Sequence, residues 1–123
     1  MITAGLTNSF KQQLLLAVHD FSVDTIKIAL YTSAATLDAS TTVYSTSNEI
    51  VGTAYTAGGE VLTGVTVTLT GNTAYVSFSN PTWNGSSFTT RGALIYNSSK
   101  TVNQQFQVQF PPNNADNALI RIS

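Results

Sequence analysis

The residues that could carry out chemistry are few in this sequence, and the first candidate is a glycine pair. The stretch TAYTAGGEVL, residues 53–62, places Gly58 and Gly59 directly before Glu60. A phosphate-binding P-loop needs a lysine after its last glycine, and it joins a strand to a helix. Here glutamate follows Gly59, and the next residues have the character of a strand. The pair therefore predicts a chain reversal, for which glycine supplies the permissive φ angles.

Nucleophilic and acid–base catalysis would depend on a single histidine. His19 is followed directly by Asp20, and no Gly-x-Ser-x-Gly motif provides a nucleophile. Adjacency in sequence does not make a catalytic dyad, because the base must be oriented by a partner in space. We expect His19 to lie at the end of the first helix and to interact with the unpaired backbone carbonyl groups of that helix end.

Paired carboxylates and metal ligands are equally poorly supported. Glu49 and Glu60 are the only glutamates, and nothing in the sequence brings them to one cleft as a glycosidase requires, so isolated surface acids are expected. Asp20 and Asp24 lack the dense oxygen ligands of a calcium loop. With no cysteine, the chain can form neither disulfides nor a thiolate zinc site. We predict no catalytic, cofactor or metal site, and a hydrolase is the least favoured function.

Six aromatic side chains could stack on sugars, or they could anchor a core or an interface. Each combines an apolar ring system with a polar group, so the residue type suits either role. The core and interface roles are favoured here. The six residues are Tyr31, Tyr44, Tyr55, Tyr75, Trp83 and Tyr96.

The composition predicts a polar surface with little charge. Charged residues make up 9% of the chain, against a usual value of about 25%, and 19 threonines and 13 serines take their place. The net charge of −1 offers no attraction for nucleic acid or an anionic membrane. Because charge normally keeps a free monomer soluble, such a surface suits a protein that lies against other copies or another surface. A secreted or particle-associated β-protein with threonine-rich strands is the alternative.

The N-terminal region predicts one helix and no export signal. Residues 6–18 place Leu6, Phe10, Leu14 and Val18 on one helical face, with Thr7 or Asn8 as N-cap. We expect this helix to lie along a sheet. The segment has no basic start or cleavage site, and its apolar run is too short for a bilayer, so synthesis in a cytoplasm is expected.

The remainder of the chain predicts short strands separated by turns. Residues 24–32 alternate as a half-buried strand, and residues 64–78 form a hairpin around Gly71-Asn72. Residues 91–97, 104–110 and 118–122 are further strands, and residues 80–87 form a bend. Residues 33–48 are small and polar, which predicts a long surface loop and favours an arm that contacts a neighbour. The fold class expected is mainly β: one domain over residues 1–123, an antiparallel β-sandwich or flattened barrel with one N-terminal helix.

The order of these segments resembles a family of small tailed-bacteriophage structural proteins. The resemblance covers nearly the whole chain, and its most specific marks are IKIALYTSAATLDA, NEIVGTAYTAGG and RGALIYN. Relatives tend to carry an additional apolar strand after RGALIYN, whereas NSSKTVNQQFQVQF continues here without it. No catalytic motif defines this family, and the resemblance implies that TAYTAGG is a signature of its fold and not a reactive site.

The resemblance implies a protein of the virion. Many such small β-proteins are capsid decoration, or cement, proteins, for which the partners would be the major capsid protein and neighbouring copies in a homo-oligomer. The expected location is then the capsid surface, after synthesis in the host cytoplasm. A tail, collar or head-fibre component that contacts host glycan is the alternative. Exposed strand edges and residues 33–48 are the expected contacts.

Overall fold

A computed structural model describes residue 2 and residues 5–99 of the chain. The described part contains one helix and five strands, joined by long irregular segments. The elements are α1 Asn8–Leu15, β1 Ile26–Tyr31, β2 Glu60–Val61, β3 Thr66–Thr70, β4 Thr73–Ser77 and β5 Gly92–Asn97. Strands β2, β1 and β5 pair in that order in one antiparallel sheet, and β3 pairs with β4 in a second. The predicted class, a mainly β protein with antiparallel sheets and one N-terminal helix, is confirmed. The predicted strands at 104–110 and 118–122 lie outside the described residues.

The central strand β1 is buried on both faces. Side chains at alternate positions, such as Ile28, join a core cluster that includes Phe10 of α1 and Ile95 of β5. The intervening positions Ala29 and Tyr31 join a second cluster on the other face. The prediction of a half-buried strand was therefore wrong. Alternation in sequence showed one apolar face and could not show that another segment covers the opposite one.

The segment that covers this second face is residues 33–48. Ala35 and Leu37 are buried against the sheet, and Leu37 forms a parallel bridge with Ile2. The hydroxyl of Tyr31 donates to the carbonyl oxygen of Ser45 at 2.6 Å, which fixes the later part of the segment. The expected surface loop is thus a folded cover of the core.

Helix α1 is shorter than the predicted helix over residues 6–18, and it starts after the first of the two predicted N-caps. Thr7 is the N-cap, and its hydroxyl oxygen accepts the N–H of Phe10 at 3.3 Å. The helix ends at Leu15, because Ala17 adopts φ 58° and reverses the chain. The predicted end at residue 18 was therefore too late. Leu14, predicted to lie on the buried face, is 42% exposed, and Phe10 is the buried residue of the helix.

Strands β3 and β4 form the predicted hairpin around Gly71-Asn72. Thr70 pairs with Thr73, and Gly71 has φ 59° while Asn72 does not have positive φ, which is the pattern of a type II′ turn. The hairpin is threonine-rich on one face and apolar on the other. Its apolar residues Val67 and Leu69 nevertheless remain largely exposed.

Candidate functional site

Glu49 is the one acidic side chain among the described residues that lies in the buried class. Only 6% of it is exposed. Its carboxylate accepts hydrogen bonds from the hydroxyls of Tyr44 at 2.6 Å and Tyr55 at 2.5 Å, and from the N–H of Gly58 at 2.8 Å. The prediction that Glu49 is an isolated surface acid was wrong. Glu60 lies exposed on β2, as predicted.

The tyrosines around Glu49 connect it to both neighbouring strands. The hydroxyl oxygen of Tyr55 accepts the N–H of Leu30 in β1 at 2.9 Å. Tyr96 in β5 donates its hydroxyl to the carbonyl oxygen of Gly58 at 2.7 Å, and its ring is stacked on Tyr44 at 4.7 Å. We call Glu49 together with Tyr44, Tyr55, Gly58 and Tyr96 the Glu49 cluster. It fastens two loops to the sheet.

Gly58 and Gly59 make the reversal that the sequence predicts, and Gly59 does so against the sheet. Their φ angles are 97° and 78°. A β-carbon at residue 59 would overlap the carbonyl oxygen of Ile28 and stand 2.9 Å from the Cα of Ala29. The loop backbone can approach β1 this closely only without a side chain. The expectation of a structural turn is confirmed, with close backbone contact as a second reason for glycine.

The environment keeps the tyrosine hydroxyls of this region protonated. Burial raises the pKa of Tyr96 to about 12, and the negative charge of Glu49 adds to the effect. Burial also raises the pKa of Tyr55 and of Tyr44, and the hydrogen bond that each hydroxyl donates to Glu49 raises it further. A protonated hydroxyl can donate to the carboxylate, whereas a phenolate would repel it. With both carboxylate oxygens occupied, the cluster has the properties of an anchor rather than of an acid–base site.

His19 lies beyond the helix end and bonds to side chains. Its Nδ1 is 3.0 Å from the amide nitrogen of Asn97, and its Nε2 is 3.0 Å from Oε1 of Gln13. An amide nitrogen donates and an amide oxygen accepts, so these contacts assign a neutral imidazole with its proton on Nε2. The predicted role at the helix carbonyls was wrong. The N–H groups of Ala17 and Val18 bond the carbonyl oxygens of Leu14 and Gln13 instead.

Asp20 and Asp24 close the turn after the helix. Oδ2 of Asp24 accepts the N–H of Asp20 at 2.9 Å and the amide of Asn97 at 2.7 Å. Oδ1 of Asp20 accepts the N–H of Ser22 at 2.9 Å. Across residue 2 and residues 5–99, no group of three histidine, cysteine or acidic side chains could hold a metal ion. In the same residues, no helix has the length and apolar character needed to cross a bilayer.

Five of the six aromatic candidates belong to the two core clusters or lie against them. Tyr31 and Tyr96 are buried, and Tyr44, Tyr55 and Trp83 are partly buried. Trp83 stacks on Tyr55 at 6.3 Å, and its buried Nε1 has no hydrogen-bond partner. The favoured role in the core is confirmed for these five. Tyr75 lies half-buried on β4.

A pocket of about 290 Å³ opens between Tyr31 and residues 34–48. Leu37 and Val43 contribute apolar surface, and the polar lining includes Thr36, Ser47 and Asn48. None of the described residues that line it carries a charge. Its volume is near the lower end of small-molecule sites, which span about 300–1,000 Å³. Its chemistry suits a small neutral group that can exchange hydrogen bonds with hydroxyls and an amide.

Several large apolar side chains are exposed on the described part of the chain. Three of them are consecutive at the end of α1, where Leu15 is 90% and Leu16 is 66% exposed. A second group, Val67 and Leu69, lies on the hairpin. Among the described residues, the exposed set comprises Leu14, Leu15, Leu16, Val23, Val51, Val61, Val67 and Leu69.

Comparison of the chain with protein-family models, with curated proteins and with solved structures gives no significant match. The sequence did not indicate the Glu49 cluster. The one available signal was the position of Glu49 directly before the apolar residues Ile50 and Val51, since a carboxylate beside a buried residue often needs partners.

Proposed function

We propose that this chain is a structural protein of a tailed-bacteriophage virion that binds the outside of the capsid shell and stabilises it. The proposal begins from the sequence segments that resemble that family. The observation that carries it further is the row of exposed leucines, Leu14–Leu16, on a chain with very few charges. Contiguous apolar surface on a protein in water is typical of an interaction site.

The leucine row has the geometry of a small contact surface. It lies at the end of α1, where the chain reverses at Ala17 and leaves Leu15 projecting into solvent. Burial of one such side chain in a partner contributes about 1.5–3 kcal/mol. The scarcity of neighbouring charge keeps the desolvation cost of the contact low. An apolar depression on the shell is the partner that this surface fits.

The internal site supports a structural role. The side chains with the chemistry for catalysis, Glu49, His19 and the tyrosines, are engaged in bonds that connect loops and helix to the sheet. Rigid attachment of these loops would preserve the outer surface of the protein. A cement protein needs such a surface, because each copy contributes one modest interface and many copies on a closed shell reinforce each other.

The first experiment is to count copies of the protein in purified virions by quantitative mass spectrometry against the major capsid protein. A ratio near one to one, or a simple fraction of it, is expected. A handful of copies per particle would contradict binding over the shell. Virions that lack the protein should also lose resistance to heat or osmotic shock, and unchanged resistance would contradict cementing.

A matched pair of variants tests the contact surface. Leu15 and Val51 are both aliphatic and are 90% and 96% exposed, so glutamate at either position should leave the fold intact. We expect Leu15→Glu to abolish binding to shells that lack the protein and Val51→Glu to retain it. Equal binding by the two variants would exclude the leucine row as the contact.

A tail, collar or head-fibre component that contacts host glycan is the second candidate. The pocket between Tyr31 and residues 34–48 favours it, because uncharged hydroxyl and amide groups suit a neutral sugar. The tyrosines that would otherwise bind the sugar are largely packed in the core clusters or against them. Low copy number together with hits on a glycan array would select this candidate. High copy number with an empty array would exclude it.

A further inference from the structure

The outer edge of β3 is an exposed strand edge. Within the part of the chain that the structure describes, β3 pairs only with β4, through an unbroken register from Thr66↔Ser77 to Thr70↔Thr73. Val67 is 64% exposed and Leu69 is 72% exposed. A hairpin of two strands is at best marginally stable in water by itself. A third strand along this edge would therefore add both backbone bonds and apolar contact.

The geometry of the hairpin determines which backbone groups face outward. In a hairpin with a two-residue loop, the flanking residues, here Thr70 and Thr73, form a hydrogen-bonded pair. The pairs then alternate along the strands, so Thr66, Thr68 and Thr70 bond to β4. Val67 and Leu69 consequently direct their N–H and C=O groups away from β4. The same two residues thus present unpaired backbone groups and exposed apolar side chains.

This edge has none of the features that usually prevent strands of different molecules from pairing. Such features are charged side chains, proline and bulges. Residues 61–90 contain no charged side chain, β3 contains no proline, and its register with β4 has no bulge. As far as residues 5–99 are concerned, the edge is therefore open to another strand.

We propose that two copies of this chain associate by antiparallel pairing of their β3 strands. Electrostatic compatibility points to a second copy as the occupant. In a two-fold contact each surface meets itself, so a strand that carries charges of one sign would bring like charges together. An uncharged strand that alternates threonine with valine and leucine meets itself without that cost. The pairing goes beyond the proposed function and does not depend on it.

The outward-facing residues specify the register of the pairing. Hydrogen bonds form when Val67 lies opposite the partner's Leu69, and Leu69 opposite the partner's Val67. Thr68 then lies on the two-fold axis, opposite the partner's Thr68. The result is a four-stranded sheet in which the exposed valines and leucines of the two copies pack side by side on one face. A contact of five residues per strand is smaller than a standard interface of about 1,600 Å², so it is weak in dilute solution and is strengthened where copies are concentrated.

Disulfide trapping of the isolated protein tests this register, because the chain has no cysteine of its own. In Thr68→Cys the two thiols meet across the axis at a distance that a disulfide can span. In the matched control Thr70→Cys, on the same strand and face, the equivalent positions of the two copies are about 14 Å apart. At equal high concentration we expect Thr68→Cys to form covalent dimers at least about tenfold faster than Thr70→Cys. Equal rates, or a faster control, would overturn the proposal.

A charge exchange provides an independent test in the Thr68→Cys background. Val67→Lys with Leu69→Lys places like charges opposite each other in the proposed register, and trapping should fall to the rate of the control. Val67→Lys with Leu69→Glu places opposite charges there, and trapping should persist. Circular dichroism verifies that each variant is folded. Identical trapping by the two double variants would contradict the register, whatever the outcome of the capsid-binding experiments.

Discussion

The hydroxyl group of Tyr55 connects the buried carboxylate of Glu49 to the central strand of the sheet. It donates to Oε2 of Glu49 at 2.5 Å and accepts the backbone N–H of Leu30 at 2.9 Å. That N–H lies on the side of β1 toward the short strand β2, where the register with β2 extends only over Lys27 and Ile28. The tyrosine therefore completes the hydrogen bonding of β1 where β2 has ended. Its position makes the stability of the sheet depend on a loop residue.

Replacement of Tyr55 by phenylalanine should destabilise the protein by about 1–3 kcal/mol, because the Leu30 N–H and one carboxylate oxygen each lose a partner. Tyr75→Phe is the matched control, since no hydrogen bond of its hydroxyl is found among the described residues. The control should change the free energy of unfolding by less than about 0.5 kcal/mol. Urea denaturation of both variants measures the difference. Equal effects would show that the Tyr55 hydroxyl is not a structural connection.

Glu49→Gln should cost about 2–3 kcal/mol of unfolding free energy. The amide keeps the shape of the side chain, but it replaces a charged acceptor of three hydrogen bonds by a neutral group that also carries donors. The exposed Glu60→Gln provides the control and should be nearly neutral. Thermal and urea unfolding report the result. If the two glutamates behaved alike, the Glu49 cluster would not anchor the fold.

Alanine at Gly59 should be far more damaging than alanine at Gly71, although both residues have positive φ. At Gly71 a β-carbon has no neighbour within 4 Å, so only the backbone penalty of about 1–2 kcal/mol applies. At Gly59 the β-carbon also overlaps the backbone of Ile28. We expect Gly59→Ala to reduce the yield of folded protein or to lower the melting temperature well below that of Gly71→Ala. Comparable melting temperatures would disprove the close approach to β1.

Ala17→Gly should stabilise the protein by up to about 1 kcal/mol. Ala17 occupies the left-handed position that follows the helix, with φ 58°, where glycine avoids the strain of a β-carbon. Part of that gain is offset by the greater freedom of glycine in the unfolded chain. Ala39→Gly, at an exposed position without positive φ, should instead be neutral or destabilising. A loss of stability in Ala17→Gly would indicate that the helix ends differently in solution.

Stability should decrease in alkaline solution from about pH 10 upward. Burial, reinforced by the charge of Glu49, raises the pKa of Tyr96 to about 12, whereas an unfolded tyrosine titrates near 10.0. The unfolded chain therefore loses its protons first, so this contribution is complete below pH 10 and is lost as the pH rises toward 12. Each buried tyrosine contributes at most about 1.4 kcal/mol per pH unit. Melting temperatures of the wild type and Tyr96→Phe should converge over this range, and a constant difference would contradict the prediction.

Local sequence patterns predicted most elements of the described fold. An N-cap at Thr7 or Asn8, a tight turn at Gly71-Asn72 and a buried strand at residues 91–97 follow from capping, glycine conformation and an uninterrupted apolar run. The helix end was missed because Ala17, unlike glycine, gives no local signal of a left-handed residue. The burial of both faces of β1 was missed because its second cover, residues 33–48, has a composition typical of surface loops.

The sequence by itself excluded the classes of chemistry for which the chain has no residues, such as cysteine-based sites. It also determined, through the alternation of apolar and polar residues, that the protein is mainly β. These properties depend on residue types and on short-range periodicity. Only the tertiary structure decided that Glu49 is buried and that Val67 and Leu69 are exposed. The position of a side chain relative to solvent depends on which distant segments cover it. A carboxylate can be buried when hydroxyls from residues 44 and 55 converge on it, and no local pattern encodes that convergence.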